Sequence, residues 1–150
     1  MQTIPKLGKR LLFSFAAASV LALSGCASMN NPNPNLPPAS QGVWFMEPQN
    51  GATVSQTFKV KFGVKGMDVQ PADAGQNAGK GHHHVLINLM SKPAGEIIPF
   101  DDKHVHFGKG QTEGELKLPP GQYKLTMQFA DGFHLSYGKD MAATIEVTVK

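Results

Sequence analysis

Tyr123-Lys124-Leu125-Thr126-Met127-Gln128-Phe129 alternates large apolar and polar side chains without a break. Successive side chains on a strand point to opposite faces, so this stretch offers one face to a core and the other away from it. The pattern recurs twice. Phe58, Val60, Phe62 and Val64 share a face against Lys59 and Lys61, and Ile145, Val147 and Val149 share one against Thr144, Glu146 and Thr148. Shorter strands are expected at 43–46, 83–89 and 115–118. Pro48-Gln49-Asn50-Gly51, Pro119-Pro120-Gly121 and Asp131-Gly132 supply turns between them. Beyond the N-terminal 25 residues no segment sustains an apolar period of 3.6. The expected fold is therefore all-β, an immunoglobulin-like antiparallel β-sandwich of about seven strands. Tyr123, just inside a strand after Leu118-Pro119-Pro120-Gly121-Gln122, sits where a tyrosine corner bonds its hydroxyl back to the main chain. Plain core packing is the equal alternative.

Upstream of the domain, Lys6, Lys9 and Arg10 precede an apolar run at 11–23, the layout of an export signal. The run is shorter than the roughly 20 residues a membrane span needs. Leu23-Ser24-Gly25-Cys26 resembles the lipobox of bacterial lipoproteins. That resemblance implies cleavage before Cys26, acylation of Cys26, and an anchor of two or more acyl chains, which holds a protein stably at a membrane. Ala27 after the cysteine implies sorting to the outer membrane, with the protein facing the periplasm. Residues 1–25 are thus expected to be a lipoprotein signal peptide, 26–41 an Asn/Pro-rich tether and 42–150 the sandwich domain. Cys26 is the only cysteine, so the domain contains no disulfide.

Three of the 14 basic residues lie in the leader, and all 11 acidic residues lie beyond Cys26, so the processed chain is formally neutral. Arg10 is the only arginine. A nucleic-acid binder needs a basic face and, as a rule, arginine forks, so that class is excluded. The expected partners are the membrane, through the lipid, and another envelope protein; oligomeric state stays open.

All six histidines fall in three clusters: His82-His83-His84, His104-Val105-His106 and His134. Val85, Ile87 and Leu89 read as core-facing, which turns His83 inward and His82 and His84 to the opposite face. Val105 and Phe107 likewise leave His104 and His106 projecting together. Histidines two apart on a strand are about 7 Å apart at Cα, within reach of one ion. His82, His84, His104 and His106 are therefore candidate metal ligands, with His134 joining from a loop. Imidazole without thiolate suits zinc or oxidised copper, with copper ranked first because it is the hazard of the bacterial envelope. Asp101 and Asp102 are placed to ligate or to orient a ring. The alternative is a non-metal interaction or adhesion module with structural histidines.

Catalysis is not expected. Cys26 is consumed by lipid, and no Gly-x-Ser-x-Gly elbow occurs. His104-Val105-His106-Phe107-Gly108 resembles the His-Val-His stretch of copper-zinc superoxide dismutase, but the cysteine pair and the further ligand spacing are missing. Met46, Met67, Met90, Met127 and Met141 are scattered, as core packing predicts rather than a reduced-copper carrier.

Four motifs in order carry a family resemblance: Gly81-His82-His83-His84-Val85-Leu86-Ile87-Asn88, His104-Val105-His106-Phe107-Gly108-Lys109-Gly110-Gln111-Thr112-Glu113, Leu118-Pro119-Pro120-Gly121 and Ala130-Asp131-Gly132-Phe133-His134. They resemble the bacterial envelope lipoprotein family known as domain of unknown function 4399, over about 43–149. The resemblance implies an immunoglobulin-like sandwich in the envelope and places weight on the six histidines. It brings no biochemical activity.

Overall fold

The computed structural model describes residues 33–38 and 40–150. The leader, Cys26 and the first part of the tether lie outside the described residues. The chain forms β1 (Gly42–Glu47), β2 (Ala52–Val54), β3 (Thr57–Lys65), β4 (Asp68–Val69), β5 (Lys80–Ile87), β6 (His104–His106), β7 (Glu113–Lys117), β8 (Gly121–Ala130) and β9 (Ala142–Val149). Among the described residues there is no α-helix, only single 3-10 turns at Ala72–Ala74 and Lys139–Met141. Nine strands stand where about seven were expected. The excess lies in elements such as β2 and β4, whose two or three residues are too few to show alternation.

One sheet has the order β1-β3-β7; the other runs β2-β9-β8-β5-β4, with β6 also on β5. The long ladders are antiparallel, and the short strands β2 and β4 pair in parallel with β9 and β5. Between the sheets, Phe45, Phe58, Val60, Phe62 and Leu116 meet Val85, Leu125, Met127, Phe129, Ile145 and Val147. Burying side chains of this size contributes about 1.5–3 kcal/mol each, which the alternation delivers to one face of each strand. Tyr123 does form the corner, its hydroxyl donating to the Pro119 carbonyl at 3.0 Å.

The end of the expected tether is bonded to the domain. Asn35 donates to the carbonyls of Phe45 and Pro48 and accepts the Asn50 amide, while the Phe45 amide donates to Pro34.

Part of the outer face of the larger sheet, over β5 and the second half of β8, is also buried. Leu86, Thr126 and Gln128 point away from the main core yet have no exposed surface, and neither has Ile98. Segments 88–103 and 131–141 cover them. Gln128 accepts the Lys92 amide through Oε1 and donates through Nε2 to Gly138 and Met141. Thr126 donates to the Leu89 carbonyl, and Ser136 to that of Lys92. A bridge between Ile97 and Leu135 ties the two covering segments together. Thr126 and Gln128 are therefore polar residues serving an interior, with their hydrogen bonds satisfied by loop backbone.

Strand β5 runs tightly against β8 where the covered face begins. A Cβ on Gly81 would stand 2.1 Å from the Ala130 carbonyl oxygen. Gly81→Ala is expected to force the strands apart and to cost about 1–3 kcal/mol, read as a lower urea midpoint at unchanged slope. An unchanged midpoint would show that β5 has slack there.

Candidate metal centre

Register brings the histidines together. β5 and β6 pair His84 with His106, and residues directly opposite share a face of the sheet. His82, two residues from His84, lies on that face as well. The ring centroids are 4.4 Å apart for His82 and His84, and 4.5 Å for His84 and His106. His134 comes from the 131–135 loop in the left-handed conformation, at φ 63°. Its ring lies 4.8 Å from His82, 5.6 Å from His84 and 5.1 Å from His106. One ligand nitrogen from each of these four residues falls within 4.8 Å of all the others. A tetrahedral ion with bonds of 2.0–2.1 Å needs nitrogens about 3.3–3.4 Å apart, so small inward ring movements complete the cage.

The polar atoms of this cluster are short of partners. Both nitrogens of His82 and of His84, and Nδ1 of His106, are buried without a hydrogen bond. A buried polar atom left unpaired is costly, and an ion held by one nitrogen from each ring would satisfy several at once. His106 Nε2 donates to the Pro99 carbonyl at 2.8 Å. A carbonyl only accepts, so Nε2 carries the proton and Nδ1 offers its lone pair to the cluster.

Burial pushes the His82 imidazolium down to about 4, helped by the neighbouring rings of His134 and His106. Burial pushes His84 to about 2, helped by His82, His106 and His134. His106 and His134 are also lowered, burial again being the main cause. All four rings are thus held neutral near pH 7, the form that binds metal.

Of the five histidines expected as ligands, His82, His84, His106 and His134 meet. His104 does not join them. Its partner across the ladder is Leu86, two residues beyond the His84–His106 pair, and its Nδ1 is bonded to Asp101 Oδ1 at 2.7 Å. Asp101 does orient an imidazole, but that of His104 and not one of the four. Asp102 is exposed. His83 faces inward as the parity required, packed between Phe62 at 4.9 Å and Phe129 at 5.0 Å, and burial pushes it to about 3.

Three contributors were not foreseen. Phe100 stacks on His106 at 3.9 Å and 7° and meets His134 edge-on, yet is 74% exposed, so it roofs the cluster toward solvent. Pro99 supplies the carbonyl already described. Asp131, read from the sequence only as a turn residue, is buried and organises the loop of His134. The 71–80 loop packs against that same loop through Gln76 and Gly75.

No curated protein matches the chain. Among solved structures, the endo-beta-1,4-mannanase from Thermotoga petrophila aligns at 17% identity and a TM-score of 0.42, over 74% of this chain and 20% of that one. The chain spans about a fifth of that enzyme, and the likeness is too slight to bear on fold or function. The family described as Domain of unknown function (DUF4399) matches residues 60–150, a stretch that contains all six histidines, and the chain belongs to that family.

Proposed function

We propose that this protein is a lipid-anchored, periplasm-facing binder of one transition-metal ion, copper first and zinc second, for sensing, buffering or delivery rather than catalysis. His82, His84, His106 and His134 would hold the ion. The observation that carries the reading is the convergence of four imidazoles, with nitrogens of His82, His84 and His106 buried there without other partners. An all-imidazole set matches copper(II) and zinc(II) better than calcium or magnesium, which take oxygen. The export leader and lipobox-like stretch support the location.

Calorimetric titration with Cu²⁺ or Zn²⁺ tests it. Wild-type protein is expected to take up one ion per chain. The His106→Ala/His134→Ala double variant should bind at least about 100-fold more weakly, since half the ligands are gone. His104→Ala should bind like wild type, because its ring is committed to Asp101. Equal weak binding by wild type and double variant would remove the metal from the account. The second reading, an envelope interaction module, draws on the exposed side chains of Ile97, Phe100 and Phe133. It predicts no ion uptake and a partner recovered by crosslinking in the envelope.

A further inference from the structure

Four imidazoles bring no charge to an ion. A divalent cation among them would leave a buried double positive charge, and such a charge is stable only with compensation nearby. Asp131 stands at the end of β8, immediately before the loop that carries His134, and is only 4% exposed. Its Oδ1 accepts the amides of Phe133 at 2.8 Å and Leu135 at 2.9 Å. Its Oδ2 accepts Gln76 Nε2 at 2.6 Å. The main chain repeats the brace, His134 N donating to Asp131 O and Asp131 N to Leu135 O, each at 3.0 Å. Every one of these donors is neutral, and among the described residues no lysine pairs with this carboxylate. The carboxylate acts electrostatically on the rings of His82 and His134, favouring positive charge at both.

The loop it braces is otherwise unfavourable. His134 sits at positive φ, a conformation that a residue with a Cβ adopts only when the surroundings impose it. A Cβ on Gly132 would fall 2.1 Å from the Gly75 carbonyl, so the 71–80 loop presses against this turn while Gln76 grips the carboxylate.

We propose that Asp131 is a positioning residue of the metal centre: its carboxylate fixes the loop that presents His134 and supplies counter-charge to the bound ion. The proposal rests on the metal-binding reading above. Two substitutions separate its parts. In Asp131→Asn the amide oxygen still accepts from Phe133 and Leu135, and Gln76 keeps a bond by turning its amide so that Oε1 accepts from the new Nδ2, so the loop stays braced while the charge goes. In Asp131→Ala both go.

Cu²⁺ and Zn²⁺ are titrated into the full chain and both variants, and the Cu²⁺ forms are read by electron paramagnetic resonance. Asp131→Asn is expected to bind about 10- to 100-fold more weakly with the four-nitrogen signature kept, the usual cost of losing a carboxylate behind metal ligands. Asp131→Ala should bind more weakly still and show one nitrogen fewer. A purely structural role would leave the affinity of Asp131→Asn within twofold of wild type, and that result overturns the proposal. Wild-type affinity and four nitrogens in Asp131→Ala overturn it equally. Should Asp131→Ala fail to fold, Asp131→Asn decides alone. Wild-type protein that takes up no ion sinks the metal reading and this inference together; a binding wild type with unaffected variants sinks only the inference.

Discussion

His84→Leu is expected to yield a metal-free protein more stable than wild type that gains far less from copper or zinc. His84 has no exposed surface, and neither of its ring nitrogens makes a well-formed hydrogen bond. A buried polar group in that state costs about 1–3 kcal/mol, and leucine, of similar size, carries no such debt. The same ring is central to the cluster, in contact with His82, His106 and His134. Wild type is expected to gain at least about 2.7 kcal/mol from an ion at 100 times its Kd. The variant should lose most of that gain. Thermal melts with and without Zn²⁺ give both numbers from one experiment. A variant less stable than wild type without metal, or one that gains as much from zinc, would contradict the reading that these rings are kept for a ligand at the expense of the apo fold.

Acid should destabilise the metal-free protein steeply, and His83 and His84 should account for much of the slope. Their folded pKa values, about 3 and about 2, lie below the 6.5 of a free imidazole. Below about pH 6.5 the unfolded chain therefore takes up protons that the folded chain refuses, and stability falls as pH falls. Above that value both states are neutral and nothing is lost. Each such ring removes about 1.4 kcal/mol per pH unit, or about 2 kcal/mol by pH 5. Two rings give about 4 kcal/mol, a large part of the 5–15 kcal/mol that holds an ordinary domain. His82 adds to this in the same direction. Urea midpoints at about pH 7.5, 6 and 5 measure the slope. His83→Leu, which leaves the four converging rings in place, should reduce that slope by one proton. Parallel curves for the variant and wild type would mean that His83 is protonated in the fold.

The alternation in the sequence was enough to place the long strands and to assign faces within them. Val85 and Ile87 put His83 in the core and His82 and His84 on the far side, and the register confirms it. What alternation cannot report is how strands align with one another. Whether His104 or His106 lies opposite His84 depends on the register of β6, three residues long, and nothing local fixes it. The second blind spot is the covered outer face. Thr126 and Gln128 look like solvent-facing residues, because their role depends on loop carbonyls about 10 to 40 positions away in the chain. The same holds for Phe100 and Asp131, whose contacts with the site come from tertiary packing and leave no periodic trace.

Three of the four converging rings ride on strands locked into one ladder, whereas His134 rides on a short turn. Pulling any of the first three aside means opening the sheet; swinging the fourth means releasing the Asp131 carboxylate and the main-chain bonds of one turn. Residence time of a cargo would then be governed by how often that turn lifts, and capture strength by the fixed trio. A protein meant to hand its ion onward needs such a division between grip and latch.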